Sequence, residues 1–229
     1  MTASGATNVV LVHGAFADGS GWKPVADILT GEGYNVSVVQ QPMTSLEDDV
    51  AATKRIIDRQ DGPVILVGHS YGGAIITEAG NDAKVSALVY VAAFAPDAGE
   101  ALGGLQQKTP PASKGVAPSN DGFLFLDPEV YAGDFAGDLP KAEADFLAAS
   151  QMPVAGKVFG TPIKTPAWKD KPVYAIVATQ DRMISPDLER SMYQRAKARV
   201  TEIKASHAVL MSQPQAVAKV IEEAARSIH

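Results

Sequence analysis

The chain has 229 residues, 46% of them hydrophobic and 20% charged, with a net charge of -6 and no cysteine. That length suits one domain with a modest insertion and permits a sizeable core. The missing cysteines exclude disulfides, thiolate metal sites and a cysteine nucleophile, and the scattered Lys and Arg offer no basic run to nucleic acid.

The residues before Asn8 are polar and carry no basic n-region, and the apolar run 9–12 is too short for the hydrophobic part of a signal peptide. No stretch approaches the ~18 apolar residues of a membrane span, so a cytoplasmic protein is expected. The run 9–12 reads as a first strand. Residues 22–29 read as a helix stopped by Gly31 and Gly33. A strand over 36–39 follows. Ser45 before Leu46, with Asp48 three residues on, resembles a capping box, and Leu46, Val50, Ile56 and Ile57 mark one helical face up to Gln60. Strands are expected over 64–67, 88–91 and 173–178, with a weaker sixth over 200–203. Helices are expected over 74–79, 187–198 and 215–228, with Pro186 and Pro214 near the starts of the last two. The first and third strands are continuous apolar runs, the pattern of strands buried on both faces. The alternation predicts a three-layer α/β/α fold with a mainly parallel, roughly six-stranded sheet.

The rhythm breaks between residues 97 and 168. This stretch holds Gly103-Gly104 and Pro110-Pro111, and one clear helical pattern over 141–150. A structureless loop of that length is uncommon in a compact domain. A small cap over 97–168 is therefore expected, inserted into a core made of 1–96 and 169–229. Phe123, Phe125, Tyr131, Phe135, Phe146 and Phe159 are expected to wall a pocket there. No internal repeat or low-complexity tract is present.

The chemistry centres on Gly68-His69-Ser70-Tyr71-Gly72. The pattern is weak alone, but here it follows a strand and opens a helix, the setting of a nucleophile elbow. Side chains two before and two after the serine would collide with backbone, and glycine removes them. A plain glycine-rich turn is the bland alternative. A phosphate loop would end in Gly-Lys-Ser/Thr, which is missing.

A serine hydroxyl needs a base. Of the four histidines, His229 is terminal, His69 lies inside the elbow with its ring expected to point away from the serine, and His13 suits a structural hydrogen bond. His207 follows the last strand, at the sheet edge where ligands bind in open α/β folds, and is the expected base. Asp181, after the strand 173–178, is the expected orienting acid, with Asp97 the alternative and a salt bridge to Arg182 the bland reading. The oxyanion is expected to meet the backbone N–H of Tyr71 and of Ala15, with Phe16 left open as the neighbouring donor. No metal-ligand cluster or dinucleotide fingerprint is present, so no cofactor is expected.

Residues 10–16, the glycine-rich run to Trp22, the segment 68–73 and His207-Ala208-Val209-Leu210-Met211-Ser212-Gln213-Pro214 together resemble the α/β-hydrolase superfamily. The likeness is greatest to the branch of plant methyl esterases, hydroxynitrile lyases and small bacterial esterases. The resemblance implies a triad of Ser70, Asp181 and His207 and hydrolysis of a small carboxylic ester through an acyl-enzyme. It also implies a sheet lacking the two leading antiparallel strands of the full fold. Lyases of this branch carry threonine at the place of Gly14 and lysine at the place of Ala208, which favours an esterase here. Ser70 argues against relatives with an aspartate nucleophile. Lactone or C–C hydrolysis, perhydrolysis, and a non-catalytic receptor on the same fold are the alternatives. A small ester is the expected partner, with a homodimer as the expected assembly if there is one, and neither nucleic acid nor membrane.

Overall fold

The computed structural model describes residues 6–228. Its main sheet is built from β1 (Asn8–Val12), β2 (Asn35–Val39), β3 (Val64–Ser70), β4 (Val85–Ala93), β8 (Val173–Ala178) and β9 (Arg199–Ile203), in the order β2-β1-β3-β4-β8-β9. Every neighbouring pair is parallel. The chain moves first to one edge, from β1 to β2, and then crosses to β3 on the other side of β1. That reversal opens a crevice at the carboxyl ends of β1 and β3, where open α/β sheets bind ligands.

β1, β3 and β8 are buried along their whole length, so their continuous Val, Ile and Leu runs serve both faces. Val10, Val12, Leu66, Leu88 and Tyr90 pack beneath α2 (Leu46–Asp58), α3 (Gly72–Ala79) and α7 (Pro186–Arg195). Val9, Leu11, Ile65, Val67 and Val89 pack beneath α1 (Lys23–Gly31) and α9 (Pro214–Arg226). Burying one such side chain contributes about 1.5–3 kcal/mol. The start of α2 forms half of the expected box: Asp48 N–H donates to Ser45 Oγ at 3.0 Å, while the Asp48 carboxylate accepts from Thr44 instead of reaching back.

Between β4 and β8 the chain leaves the main sheet. It forms α4 (Leu102–Lys108), β5 (Val116–Pro118), β6 (Phe123–Leu126), α5 (Pro128–Phe135), α6 (Lys141–Ser150) and β7 (Val154–Ala155). Only α6 was legible as a helix. The antiparallel β5-β6-β7 sheet has strands of three, four and two residues, too short to display a period, and pairs Phe123 with Ala155 far along the chain. A short α8 (Val209–Ser212) precedes α9. Among the described residues, no helix is long and apolar enough to cross a membrane.

Candidate active site

β3 ends at Ser70, whose φ of 55° lies in the left-handed region that side chains disfavour. The conformation turns the chain into α3 with only Tyr71 between. Crowding enforces the two flanking glycines. A β-carbon on Gly68 would fall 2.6 Å from the Gly72 carbonyl oxygen, and one on Gly72 would fall 2.6 Å from that of Val12. The loop after β1 presses on the turn from above, since a β-carbon on Gly14 would lie 2.5 Å from Ser70 Cβ. Ser70 is 7% exposed and lines the floor of a cavity of about 340 Å³, with Ala15, Phe16 and Tyr71 beside it and Phe159 and Met183 in its walls.

Asp181 and His207 meet behind this floor. The buried His207 Nδ1–H donates to Asp181 Oδ2 at 2.6 Å. Asp181 Oδ1 accepts from the backbone N–H groups of Met183 at 2.7 Å and Ile184 at 3.0 Å, which fixes the carboxylate on its turn. His207 is tied to the elbow by His69, whose Nε2–H donates to the His207 carbonyl at 2.8 Å. Their ring centroids are 4.6 Å apart. Ser70 Oγ and His207 are not hydrogen-bonded to each other; the ring bond of His207 is the one to Asp181. Backbone N–H groups of Ala15, Phe16 and Tyr71 donate to no backbone carbonyl among the described residues. Ala15 and Phe16 both line the cavity beside Ser70, and Phe16 has a φ of 61°.

The other expected candidates fall into structural roles. His13 is buried and its Nδ1–H donates to the Gly14 carbonyl, and burial pushes its ring below the usual imidazole range. His69 is held well below that range, first by burial and then by His207. His229 lies outside the described residues. Asp97 pairs with Lys169 at 2.6 Å, and Arg182 pairs with Asp134, not with Asp181. The aromatic wall needs correction. Of the six aromatics expected to form it, only Phe159 lines the large cavity. Phe146 is 69% exposed. Tyr131 donates its hydroxyl to the Phe16 carbonyl at 2.6 Å, and Phe135 packs edge-on against the His207 ring. The aromatic lining comes instead from Phe16, Tyr71 and Phe94, beside Phe159.

Three acids near the site were missed. Asp49, on the buried face of α2, accepts from Tyr71 Oη at 2.6 Å and from Met43 N–H at 2.8 Å. Burial pushes its carboxyl up to about 6 against the pull of those two bonds. Glu189, on the buried face of α7, accepts from Ala178 N–H at 3.2 Å. Asp138, after α5, accepts from Ser206 N–H at 3.0 Å, from Ser206 Oγ, and from Ser212 Oγ at 2.8 Å. Burial raises its carboxyl, but those bonds win and hold it below the usual range. A signal existed for two of them. Asp49 and Glu189 each stand at helical spacing among apolar residues, with Leu46 and Ile57 in α2 and with Met192 and Tyr193 in α7, where an acid requires a partner.

Residues 9–220 match the family model described as "Alpha/beta hydrolase family". The chain is 28% identical to the pyrethroid hydrolase of Sphingobium wenxiniae over 249 residues, covering 95% of this chain and 87% of that protein. It is 24% identical to methylesterase 2 of Arabidopsis thaliana, covering 90% and 91%. Among solved structures, the crystal structure of a pyrethroid hydrolase from Sphingobium faniae superposes with a TM-score of 0.80 at 25% identity, over 95% of this chain and 96% of that one.

Proposed function

The chain belongs to the alpha/beta hydrolase family, and on that premise we propose that it cleaves carboxylic esters through an acyl-enzyme on Ser70. The observation that carries this reading is the buried 2.6 Å bond between His207 and Asp181, set beside a serine held at positive φ. Asp181 fixes the tautomer of His207, leaving Nε2 free to take the serine proton, and stabilises the imidazolium that forms. The Ser70–His207 hydrogen bond closes when substrate binds, as such bonds are often long in the free enzyme. Charge developing on the carbonyl oxygen meets the N–H of Tyr71 and of Ala15, aided by the N-terminus of α3. His207 then protonates the leaving alcohol, and water repeats the cycle. Relatives named as a hydrolase of pyrethroids and as a methylesterase support ester bonds as the target. The lyase alternative is disfavoured because Gly14 and Ala208 stand where lyases of the resembling branch carry threonine and lysine.

The cavity is mostly apolar, and Lys114 is the one charged residue lining it. A small ester with an apolar acyl or alcohol group fits that lining. Turnover of p-nitrophenyl acetate and butyrate, measured for wild type and Ser70→Ala with a fluorophosphonate label, tests the reading. Turnover and labelling that both disappear in the variant are expected. A folded wild type that neither turns over nor labels would overturn it and leave the receptor alternative.

A further inference from the structure

We propose that Glu189 is a positioning residue that keeps its proton and donates it as a hydrogen bond to the Asp181 carboxylate. The proposal rests on the reading of Asp181 and His207 as acid and base. Glu189 is fully buried in α7. Its Oε2 accepts from Ala178 N–H, at the end of β8, and the Asp181 N–H donates to the Ala178 carbonyl at 3.1 Å, so the backbone of Ala178 is bonded to both acids. Glu189 Oε1 is buried with no donor directed at it. An ionised carboxylate so placed would leave one oxygen desolvated and unpaired, at high cost. The Asp181 carboxylate, which can only accept, is within hydrogen-bonding reach. A proton on Glu189 resolves both problems at once, turning Oε1 from an unmet acceptor into a donor.

The surroundings agree. Burial, and after it the negative charge of Asp181, push the Glu189 carboxyl well above the usual range. Arg190 is the neighbouring cation, but it is committed to Glu202 at 2.7 Å and Asp187 at 2.9 Å on the solvent side. Tyr193, one turn on, is spent on the backbone of Ala93, accepting from its N–H and donating to its carbonyl, each at 2.8 Å. With the Glu189 proton in place, Asp181 accepts four hydrogen bonds: from Met183, Ile184, His207 and Glu189. The fourth constrains the carboxylate and draws charge from it.

Glutamine reproduces a protonated glutamate atom for atom, with its oxygen on Ala178 and its N–H on Asp181. Glu189→Gln is expected to keep kcat/KM within about twofold and to leave the acid limb of the pH–rate profile in place. Glu189→Leu removes the donor. It is expected to lower kcat about tenfold and to move the acid limb upward by about half a unit, because Asp181 regains its full charge. An acid limb displaced downward in Glu189→Gln would mean that an ionised glutamate had been removed, and would overturn the proposal. So would a Glu189→Leu variant that loses kcat with its acid limb unmoved. An infrared difference spectrum, wild type minus Glu189→Gln at pH 7, reads the proton directly and needs no turnover. A carboxylic acid C=O band is expected, and its absence would overturn the proposal even if the esterase reading itself failed.

Discussion

The floor of the cavity is fixed by backbone crowding, whereas the segment between β4 and β8 also reaches the site through side chains. At the floor, Ser70 stands at positive φ, and its turn is wedged by carbonyl oxygens that leave no room for a β-carbon at 68 or 72. In the inserted segment, side-chain bonds reach down to loops of the site. Tyr131 holds Phe16, Gln106 holds the Met183 carbonyl at 3.2 Å, and Asp138 holds Ser206. Phe135 adds a backbone contact, its carbonyl accepting from Ala208 N–H at 3.0 Å. A substitution at the floor should therefore alter turnover of every ester alike. A substitution in the inserted segment should alter either the aim of a loop or the choice of ester, according to which side of that segment it touches.

The largest effect expected is at the floor. Asp181→Asn keeps the shape of the side chain but presents an amide to His207 Nδ1, favouring the wrong tautomer. A fall of about 10⁴-fold in kcat is expected, with little change in KM, as for the same substitution in a serine-protease triad. A fall of less than tenfold would remove Asp181 from the role of orienting acid and reopen Asp97, which here is occupied by Lys169. The loss should be equal for acetate and butyrate esters, since neither chain touches Asp181.

The elbow was legible because its chemistry is local. Two glycines, a serine and the strand and helix around them fall within a dozen residues, and crowding dictates each choice. Asp181 and His207 were legible from their places after β8 and β9, where the sheet delivers side chains to one edge. The inserted segment was not legible in the same way. An excess of phenylalanine between 97 and 168 was read as a pocket wall, yet Phe135 and Tyr131 brace loops and Phe146 meets solvent. Composition records how much apolar area a segment carries, not which way each ring faces. Asp138 was unreadable for a related reason: its partners Ser206 and Ser212 lie some seventy residues away, and nothing in the local sequence points to them.

Asp138 tests whether the inserted segment can act as part of the floor. By sequence it belongs to the insertion, but its bonds hold the loop that carries His207. Asp138→Ala is expected to lower kcat by up to about tenfold while leaving the ratio of butyrate to acetate turnover unchanged. Because Asp138 is substantially exposed, solvent will replace part of what is lost, and the effect should stay well below that of Asp181→Asn. A changed ester ratio would show that the segment around 138 shapes the pocket after all.

Phe159 tests the opposite side of the same segment, and the effect expected is the smallest. It lines the cavity, and α4 passes close to its backbone at Gly103. Removing the ring enlarges the apolar end of the cavity without disturbing the reacting groups. Phe159→Ala should therefore leave acetate turnover within about twofold, because so short an acyl chain never reaches the wall. Hexanoate and longer esters should gain. Each further buried methylene is worth at most about 0.8 kcal/mol, and part of that is lost to the poorer packing of a widened pocket. A shift of about threefold in the hexanoate-to-acetate ratio of kcat/KM is the outcome expected, carried by KM and not by kcat. If kcat for acetate fell in step with that for hexanoate, the ring would be supporting the floor as Phe135 does, and the division of the inserted segment into a bracing side and a pocket side would not hold.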